Sequence, residues 1–385
     1  MGNILDYVSW RGDLPFTQYG PNEVDALIFS ALSYIPFRGK VLDSPEQSVD
    51  LREAAEEFFA SPEPIGYVRP EFDLALLRSA AQSRRFGGVK LTGYREVLNK
   101  ERDTQFAAVT FQLDDGSLYV SFRGTDNTLV GWKEDFSMCF RQEIPSQKLA
   151  KLYLQEILMT HKGPVRVSGH SKGGNVAVYA VSQLPPVLRE RIIRVYNQDG
   201  PGFPEDFLGN PGYRSILPIL VTQVPQGSVI GMILHHLEPM NVIKSSGSGI
   251  MQHDAFTWEV LGTELLREEK LSENAVFLQL TIETWLKDTD VDTRVRMVNM
   301  LFELLTTGDA EVTGDLFLPK NLVAYISRLR TSEILRKYLA EDLSSLFRAA
   351  KKARLQLGKG GKKDTKELPN KESIEQLNQI HKEPM

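Results

Sequence analysis

The residues whose types and spacing carry the clearest chemistry are Gly-His-Ser-Lys-Gly-Gly at positions 169–174. The β-prone run 165–168 precedes this hexapeptide, and the stretch 175–181 that follows it has the composition of a buried helix. A strand, a Gly-x-Ser-x-Gly turn and a helix form a nucleophile elbow, which holds a serine hydroxyl at the carboxyl edge of a parallel sheet. The pattern therefore predicts Ser171 as a nucleophile. The alternative is a plain strand-to-helix turn whose glycines allow close packing.

A serine hydroxyl needs a base that takes its proton and an acid that orients the base. In sheet hydrolases with such an elbow, the chain order is serine, acid, histidine. That order leaves the histidines between the elbow and the polar C-terminal stretch, namely His235, His236 and His253. We predict His253 as the base, because it follows the last β-prone run through a Gly/Ser-rich loop. The alternatives are a structural role for His253 at the start of the next segment, and His236 as the base.

The predicted acid is Asp199, which lies at the tip of the β-prone run 192–197. A carboxylate at the end of this strand can reach a histidine that hangs over the same edge of the sheet. The alternative is that Asp199 only organises the Gly-Pro turn that follows it, a common use of aspartate. The other candidates for the acid are then Asp254, Glu205 and Asp206.

Cleavage of an ester also needs hydrogen-bond donors fixed where negative charge develops on the carbonyl oxygen. The backbone N–H of Lys172, directly after the serine, is one predicted donor. The other is Thr125, through its N–H and its hydroxyl, in the loop that ends the β-prone run 117–122. The alternative interpretation of this loop is a strand-ending turn in which Arg123 pairs with Asp135.

Taken together, these motifs resemble the paired signatures of the class 3 lipases, which are α/β hydrolases. The resemblance rests on Phe-Arg-Gly-Thr at 122–125, on Trp132 and Asp135, and on the elbow at 169–174. The Lys in the elbow and Gln-His-Asp at 252–254 are most similar to a bacterial branch of lipase-like proteins. The resemblance covers roughly residues 85–260. It implies a nucleophile at Ser171, oxyanion donors at Thr125 and Lys172, and a base at His253.

Two departures from the class 3 pattern affect these assignments. In that family the acid usually follows the strand after the one that ends at the position of Asp199. Here the comparable stretch is 224–230, and it contains no carboxylate. Either the acid has moved to Asp199 or the triad is incomplete. The second departure is Lys172, where an apolar residue is commoner. We expect its ammonium group to point to solvent; the alternative is that it favours an anionic ester such as a phospholipid.

The alternation of helical and β-prone segments predicts an α/β-hydrolase fold, with a mostly parallel sheet covered by helices on both faces. We expect helices at both ends of the chain and also over 255–268. The predicted organisation is listed by range: an N-terminal helical region over 1–84, the hydrolase core over 85–268, a C-terminal helical subdomain over 269–350, and a disordered basic and polar tail over 351–385.

Composition narrows the classes of partner and compartment. The net charge of -5 gives no reason to expect nucleic-acid binding, and the single cysteine, Cys139, fits a reducing compartment such as the cytoplasm. No ligand spacing indicates a metal or cofactor. The predicted function is a serine ester hydrolase acting on acyl lipids through an acyl-enzyme. The alternative is a catalytically weak hydrolase-fold protein that binds partners or, through its basic tail, makes weak contact with a membrane surface; the sequence leaves the oligomeric state open.

Overall fold

The computed structural model describes residues 2–61, 71–308, 310–311, 315–316 and 318–360. Eight strands form one sheet and are adjacent in chain order. The strands are β1 (Val49–Asp50), β2 (Lys90–Asn99), β3 (Thr104–Gln112), β4 (Leu118–Phe122), β5 (Val165–His170), β6 (Ile192–Gln198), β7 (Leu220–Pro225) and β8 (Met240–Ile243).

The sheet has an antiparallel half and a parallel half. Strands β1 to β4 pair antiparallel, and β3 and β4 form a hairpin around Gly116. From β4 to β8 all pairs are parallel, and the chain returns to the same edge before each new strand. The carboxyl ends of β4 to β8 therefore share one edge, to which the predicted site residues are attached.

Helices cover both faces of the sheet and form the C-terminal region. The helices are α1 (Ile4–Arg11), α2 (Glu23–Leu32), α3 (Leu51–Ala60), α4 (Asp73–Gln82), α5 (Leu129–Ser137), α6 (Pro145–Thr160), α7 (Lys172–Ser182), α8 (Pro186–Arg189), α9 (Pro211–Ile216), α10 (Glu273–Asp288), α11 (Val291–Leu305), α12 (Pro319–Thr331) and α13 (Glu333–Gly360). None of the described helices has the length and apolar character needed to cross a bilayer.

Two apolar layers hold the helices to the sheet because successive strand residues point to opposite faces. On β4, Tyr119 joins one layer with residues of α1 to α4, such as Phe29. The next residue, Val120, joins the other layer with residues of α6, α7 and α9, such as Tyr153 and Val178. This architecture confirms the predicted α/β-hydrolase fold with a mostly parallel sheet covered on both faces.

The helix predicted over 255–268 is wrong. A short 3₁₀ turn at Ala255–Thr257 is followed by a two-stranded hairpin of β9 (Val260–Leu261) and β10 (Glu264–Leu265). Gly262 lies in the turn with a φ of +64°, a conformation that favours glycine. The segment is held by contacts with the N-terminal part of the chain, since the Val260 N–H donates to the Gly2 carbonyl at 2.8 Å and the Leu265 N–H donates to Oε1 of Glu23 at 2.7 Å. These contacts override its helical spacing.

The predicted regions differ from the structure in two places. The region 1–84 contains a strand besides its helices, because β1 adds an edge strand to the main sheet. Helix α13 continues to Gly360, so the predicted disorder is wrong for 351–360, while 361–385 lies outside the described residues.

The C-terminal helices attach near the site: Trp285 of α10 packs in a cluster with Leu234 and with Met138, directly after α5.

Candidate active site

Ser171 lies between β5 and α7, in the sharp turn that the sequence predicts. Its φ of +58° and ψ of −135° are a strained conformation for a residue with a side chain. The flanking glycines make the turn sterically feasible. A Cβ on Gly169 would lie 2.2 Å from the Gly173 carbonyl carbon, and one on Gly173 would lie 2.1 Å from the Phe122 carbonyl oxygen. The elbow therefore packs backbone against backbone, and only glycine fits at these two positions.

A carboxylate and a histidine meet at the same sheet edge. Nδ1 of His253 lies 2.6 Å from Oδ2 of Asp199, which is fully buried at the end of β6. Asp199 has a φ of +52°, another strained conformation. The His253 side chain remains 22% exposed. A buried acid that holds one ring nitrogen leaves the other nitrogen of the imidazole available for proton transfer.

The stretch 226–231, directly after β7, supports Asp199 and contains no carboxylate of its own. The Ser228 hydroxyl donates to Oδ1 of Asp199, and the Gly231 N–H donates to the same oxygen at 3.1 Å. In the class 3 pattern, the acid would lie in the loop after β7. Here this loop supplies two donors that balance the buried charge of Asp199 and fix its orientation.

His170, directly before Ser171, also contacts the His253 segment, which the sequence did not predict. Its Nε2 donates to the His253 carbonyl oxygen at 2.7 Å, and its Nδ1 lies 3.2 Å from the Tyr34 hydroxyl. A carbonyl only accepts, so the proton lies on Nε2. The two imidazole rings lie against each other with centroids 4.6 Å apart. His170 therefore connects the elbow to the segment that carries His253.

Within the described part of the chain, no hydrogen bond joins Ser171 Oγ to His253. The acid and histidine are paired, whereas the serine and histidine are not. Proton transfer needs the imidazole within hydrogen-bond reach of Oγ, a contact that often tightens only when substrate is bound.

The loop with Thr125 lies directly against the elbow. A Cβ on Gly124 would come within 2.4 Å of the His170 carbonyl oxygen and 3.0 Å of the Ser171 Cβ. Among the described residues, neither the Thr125 N–H nor the Lys172 N–H donates to a protein acceptor. The N–H of Lys172 directly follows Ser171 in the chain, and the N–H of Thr125 lies in the loop packed against it. Both predicted oxyanion donors are therefore close to Ser171 and are not bonded to a described protein acceptor.

Asp135 of α5 holds the Thr125 side chain. The Thr125 hydroxyl donates to Oδ2 of Asp135, and Lys172 Nζ lies 3.6 Å from Oδ1. Burial raises the pKa of Asp135 to about 6, although Lys172 and the hydroxyl both favour the ionised form. Asp135 does not pair with Arg123, contrary to the alternative interpretation; the Arg123 guanidinium bonds Glu96 at 3.0 Å.

The prediction that the Lys172 ammonium points to solvent is wrong. Lys172 is only 1% exposed, and its Nζ donates to Oε2 of Glu134 at 2.8 Å. Two further bonds go to the carbonyl and the side-chain oxygen of Gln105. The ammonium is buried under the elbow, so it is not positioned to attract an anionic ester from solvent. The sequence-based interpretation missed Glu134 and Gln105 because neither belongs to the recognised motifs.

The other candidate bases and acids occupy separate contacts. Both ring nitrogens of His236 are engaged, Nδ1 at 3.1 Å from Glu238 and Nε2 at 3.0 Å from the Gly231 carbonyl. Burial alone would raise the pKa of Glu238, but the hydrogen bond and charge of His236 lower it to about 2. Asp254 accepts from the Phe256 N–H at 3.1 Å and so caps the turn that follows. None of these groups is paired with His253.

Comparisons with known proteins give a family model and distant solved structures, two of which are described here. A family model described as Mbeg1-like matches residues 80–303, more than half of the chain. The chain is similar to the crystal structure of a mutant form of MDLA from Penicillium cyclopium, with 14% identity, a TM-score of 0.40, and coverage of 66% of this chain and 89% of that chain. It is also similar to the Rhizomucor miehei lipase propeptide complex, with 13% identity, a TM-score of 0.31, and coverage of 57% and 68%. No curated protein matches the chain significantly in sequence.

Proposed function

The chain belongs to the Mbeg1-like family, and we propose that it is a serine hydrolase that cleaves carboxylic esters, with acyl lipids as the substrate class. The observation that carries the proposal is the 2.6 Å contact of His253 with the buried Asp199, at the edge where Ser171 lies in a strained turn. A hydrolase-fold protein without catalysis has no need to bury a carboxylate against a histidine there. Because the chain has one cysteine, Cys139, we propose a reducing compartment such as the cytoplasm.

In the proposed mechanism, His253 Nε2 takes the proton from Ser171 Oγ as the oxygen bonds to the ester carbonyl carbon. Asp199 stabilises the resulting imidazolium through Nδ1. The oxyanion accepts from the N–H groups of Thr125 and Lys172. As the bond to the alkoxy oxygen breaks, His253 gives its proton to the departing alcohol. Water then loses a proton to His253 and attacks the acyl carbon, and Ser171 leaves with that proton as the free acid is released.

A panel of p-nitrophenyl esters of increasing chain length tests the proposal. We expect turnover by the wild-type protein that rises with acyl length, since an enzyme for acyl lipids gains affinity from each buried methylene. Ser171→Ala should abolish turnover. The matched control is Ser327→Ala, because Ser327 is exposed on α12, far along the chain from the elbow. Turnover that survives Ser171→Ala, or none with any ester, contradicts the proposal.

One observation favours a second function, binding at a membrane surface. Phe347 and Leu343 of α13 are 75% and 56% exposed, one turn apart. Arg348 and Lys351 follow on the same helix, so an apolar pair adjoins positive charge that would attract anionic lipid. Co-sedimentation with phosphatidylserine vesicles should be lost in Phe347→Ser. Equal sedimentation of that variant and the wild type would exclude this surface.

A further inference from the structure

We infer that the Lys172 side chain is a positioning residue that fixes the two proposed oxyanion donors relative to each other. The inference rests on the proposed function, because it concerns the same site. Two groups of Lys172 take part in this arrangement. Its backbone N–H is one proposed donor, and its ammonium group, through Gln105 and Glu134, holds the loop that carries the other.

The first step concerns how fully the ammonium is bound. A buried charge is costly unless it is paired and hydrogen-bonded. Lys172 Nζ meets three acceptors, at 2.8 Å from the Gln105 carbonyl, 2.7 Å from Gln105 Oε1 and 2.8 Å from Glu134 Oε2. An ammonium group has three N–H donors, so all of them are used. The side chain is therefore held at both ends, by the elbow and by this triple contact.

The second step concerns Glu134, which connects three elements at its fully buried carboxylate. Oε2 accepts from Lys172 and from the Gln105 N–H at 3.0 Å, which brings β3 to α5. Oε1 accepts from the Ser146 N–H at 2.9 Å in the first turn of α6. Three donors around one carboxylate fix α5 against the elbow helix, β3 and α6.

The third step links this network to Thr125 by two independent routes. Asp135 follows Glu134 on α5 and accepts from the Thr125 hydroxyl. The Gln105 side-chain amide donates to the Gly124 carbonyl at 3.4 Å, one residue before Thr125. Both routes begin at Lys172 Nζ and end at the loop of the second donor. An apolar residue at 172 would fill the space but would set no distance between the two amides.

The test compares kcat and KM of the full chain on the best ester of the panel. Lys172→Met alone leaves the Glu134 carboxylate buried without its cation, so the decisive variant is the double change Lys172→Met with Glu134→Gln. The matched control removes an exposed pair, Lys352→Met with Asp288→Asn, which are joined at the surface. We expect kcat of the first double variant to fall on the order of 10²-fold, with KM within about threefold, because misplaced donors stabilise the transition state less. The control should keep its kcat.

A folded Lys172/Glu134 double variant with wild-type kcat overturns the inference, because a merely structural pair affects stability and leaves kcat unchanged. If that variant does not fold, the neutral change Gln105→Leu decides. It removes one acceptor of Nζ and the bond to Gly124, and kcat should fall about tenfold; an unchanged kcat overturns the inference. A wild-type protein that cleaves no ester is a different failure, since it removes the proposed function itself and the positioning role with it.

Discussion

His253 Nδ1 lies 2.6 Å from Asp199 Oδ2, which joins a histidine from the loop after β8 to a carboxylate at the end of β6. The two residues are 54 positions apart in sequence and meet because parallel strands end at the same edge of the sheet. Ser228 and Gly231 donate to the other carboxylate oxygen. In the class 3 pattern the acid follows the strand that corresponds to β7; here the loop after β7 holds the Asp199 carboxylate in place.

Replacing Asp199, the proposed acid, tests its role most simply. Asp199→Asn should lower kcat by about 10⁴-fold while the circular dichroism spectrum stays unchanged, because the amide no longer stabilises the imidazolium. Asp254→Asn is the matched control, since Asp254 was a candidate acid but caps a turn. Its kcat should stay within a few-fold of wild type. A near-normal kcat for Asp199→Asn would contradict the catalytic role and show that Asp199 only organises the turn that follows it.

The role of His253 as the proposed base is tested by two histidine changes assayed side by side. His253→Gln should remove ester turnover, since no other described imidazole is paired with Asp199. His161→Gln alters a histidine at the end of α6, where Nε2 lies 2.9 Å from the Pro45 carbonyl. That residue lies before β5, at the opposite end of the strand from Ser171, so turnover should persist. If His253→Gln stays active, another group is the base.

The packing of the elbow predicts a large difference between two glycine substitutions. Gly173→Ala places a Cβ 2.1 Å from the Phe122 carbonyl oxygen, so the elbow must shift, and we expect a loss of at least about 1–3 kcal/mol of stability. Gly209→Ala meets nothing within 4 Å and should change stability by less than about 0.5 kcal/mol. Thermal unfolding measures both. Equal midpoints would show that the elbow is not tightly packed.

Asp135 predicts a pH dependence of stability with a defined sign. Burial raises its folded-state pKa from 3.8 to about 6, so folding favours the protonated carboxyl. The stability this group contributes is present below pH 3.8 and is lost as the pH rises through about 6. Asp135→Asn should therefore be more stable relative to wild type at pH 7.5 than at pH 4. Thermal midpoints at the two pH values measure the difference; a constant gap contradicts the raised pKa.

The elbow was predictable because its signal is local: glycines two residues before and after Ser171, between a β-prone run and a buried helix. The pairing of Asp199 with His253 could be predicted from two facts alone: the chain order of the two residues and the shared edge at which parallel strands end. The burial of Lys172 could not be predicted, because its partner Glu134 lies 38 residues earlier and no local pattern places α5 beneath the elbow. The hairpin at 260–265 was also missed, since tertiary contacts such as the bond from the Leu265 N–H to Glu23 override its helical spacing.

The most direct test of the central claim is covalent labelling by a fluorophosphonate, followed by mass spectrometry of the modified peptide. An activated serine oxygen bonds to phosphorus and fluoride leaves, which marks the nucleophile itself. We predict a single adduct on Ser171 in the wild-type protein and none in Ser171→Ala. A wild-type protein that stays unlabelled, or an adduct that persists in Ser171→Ala, would contradict the account.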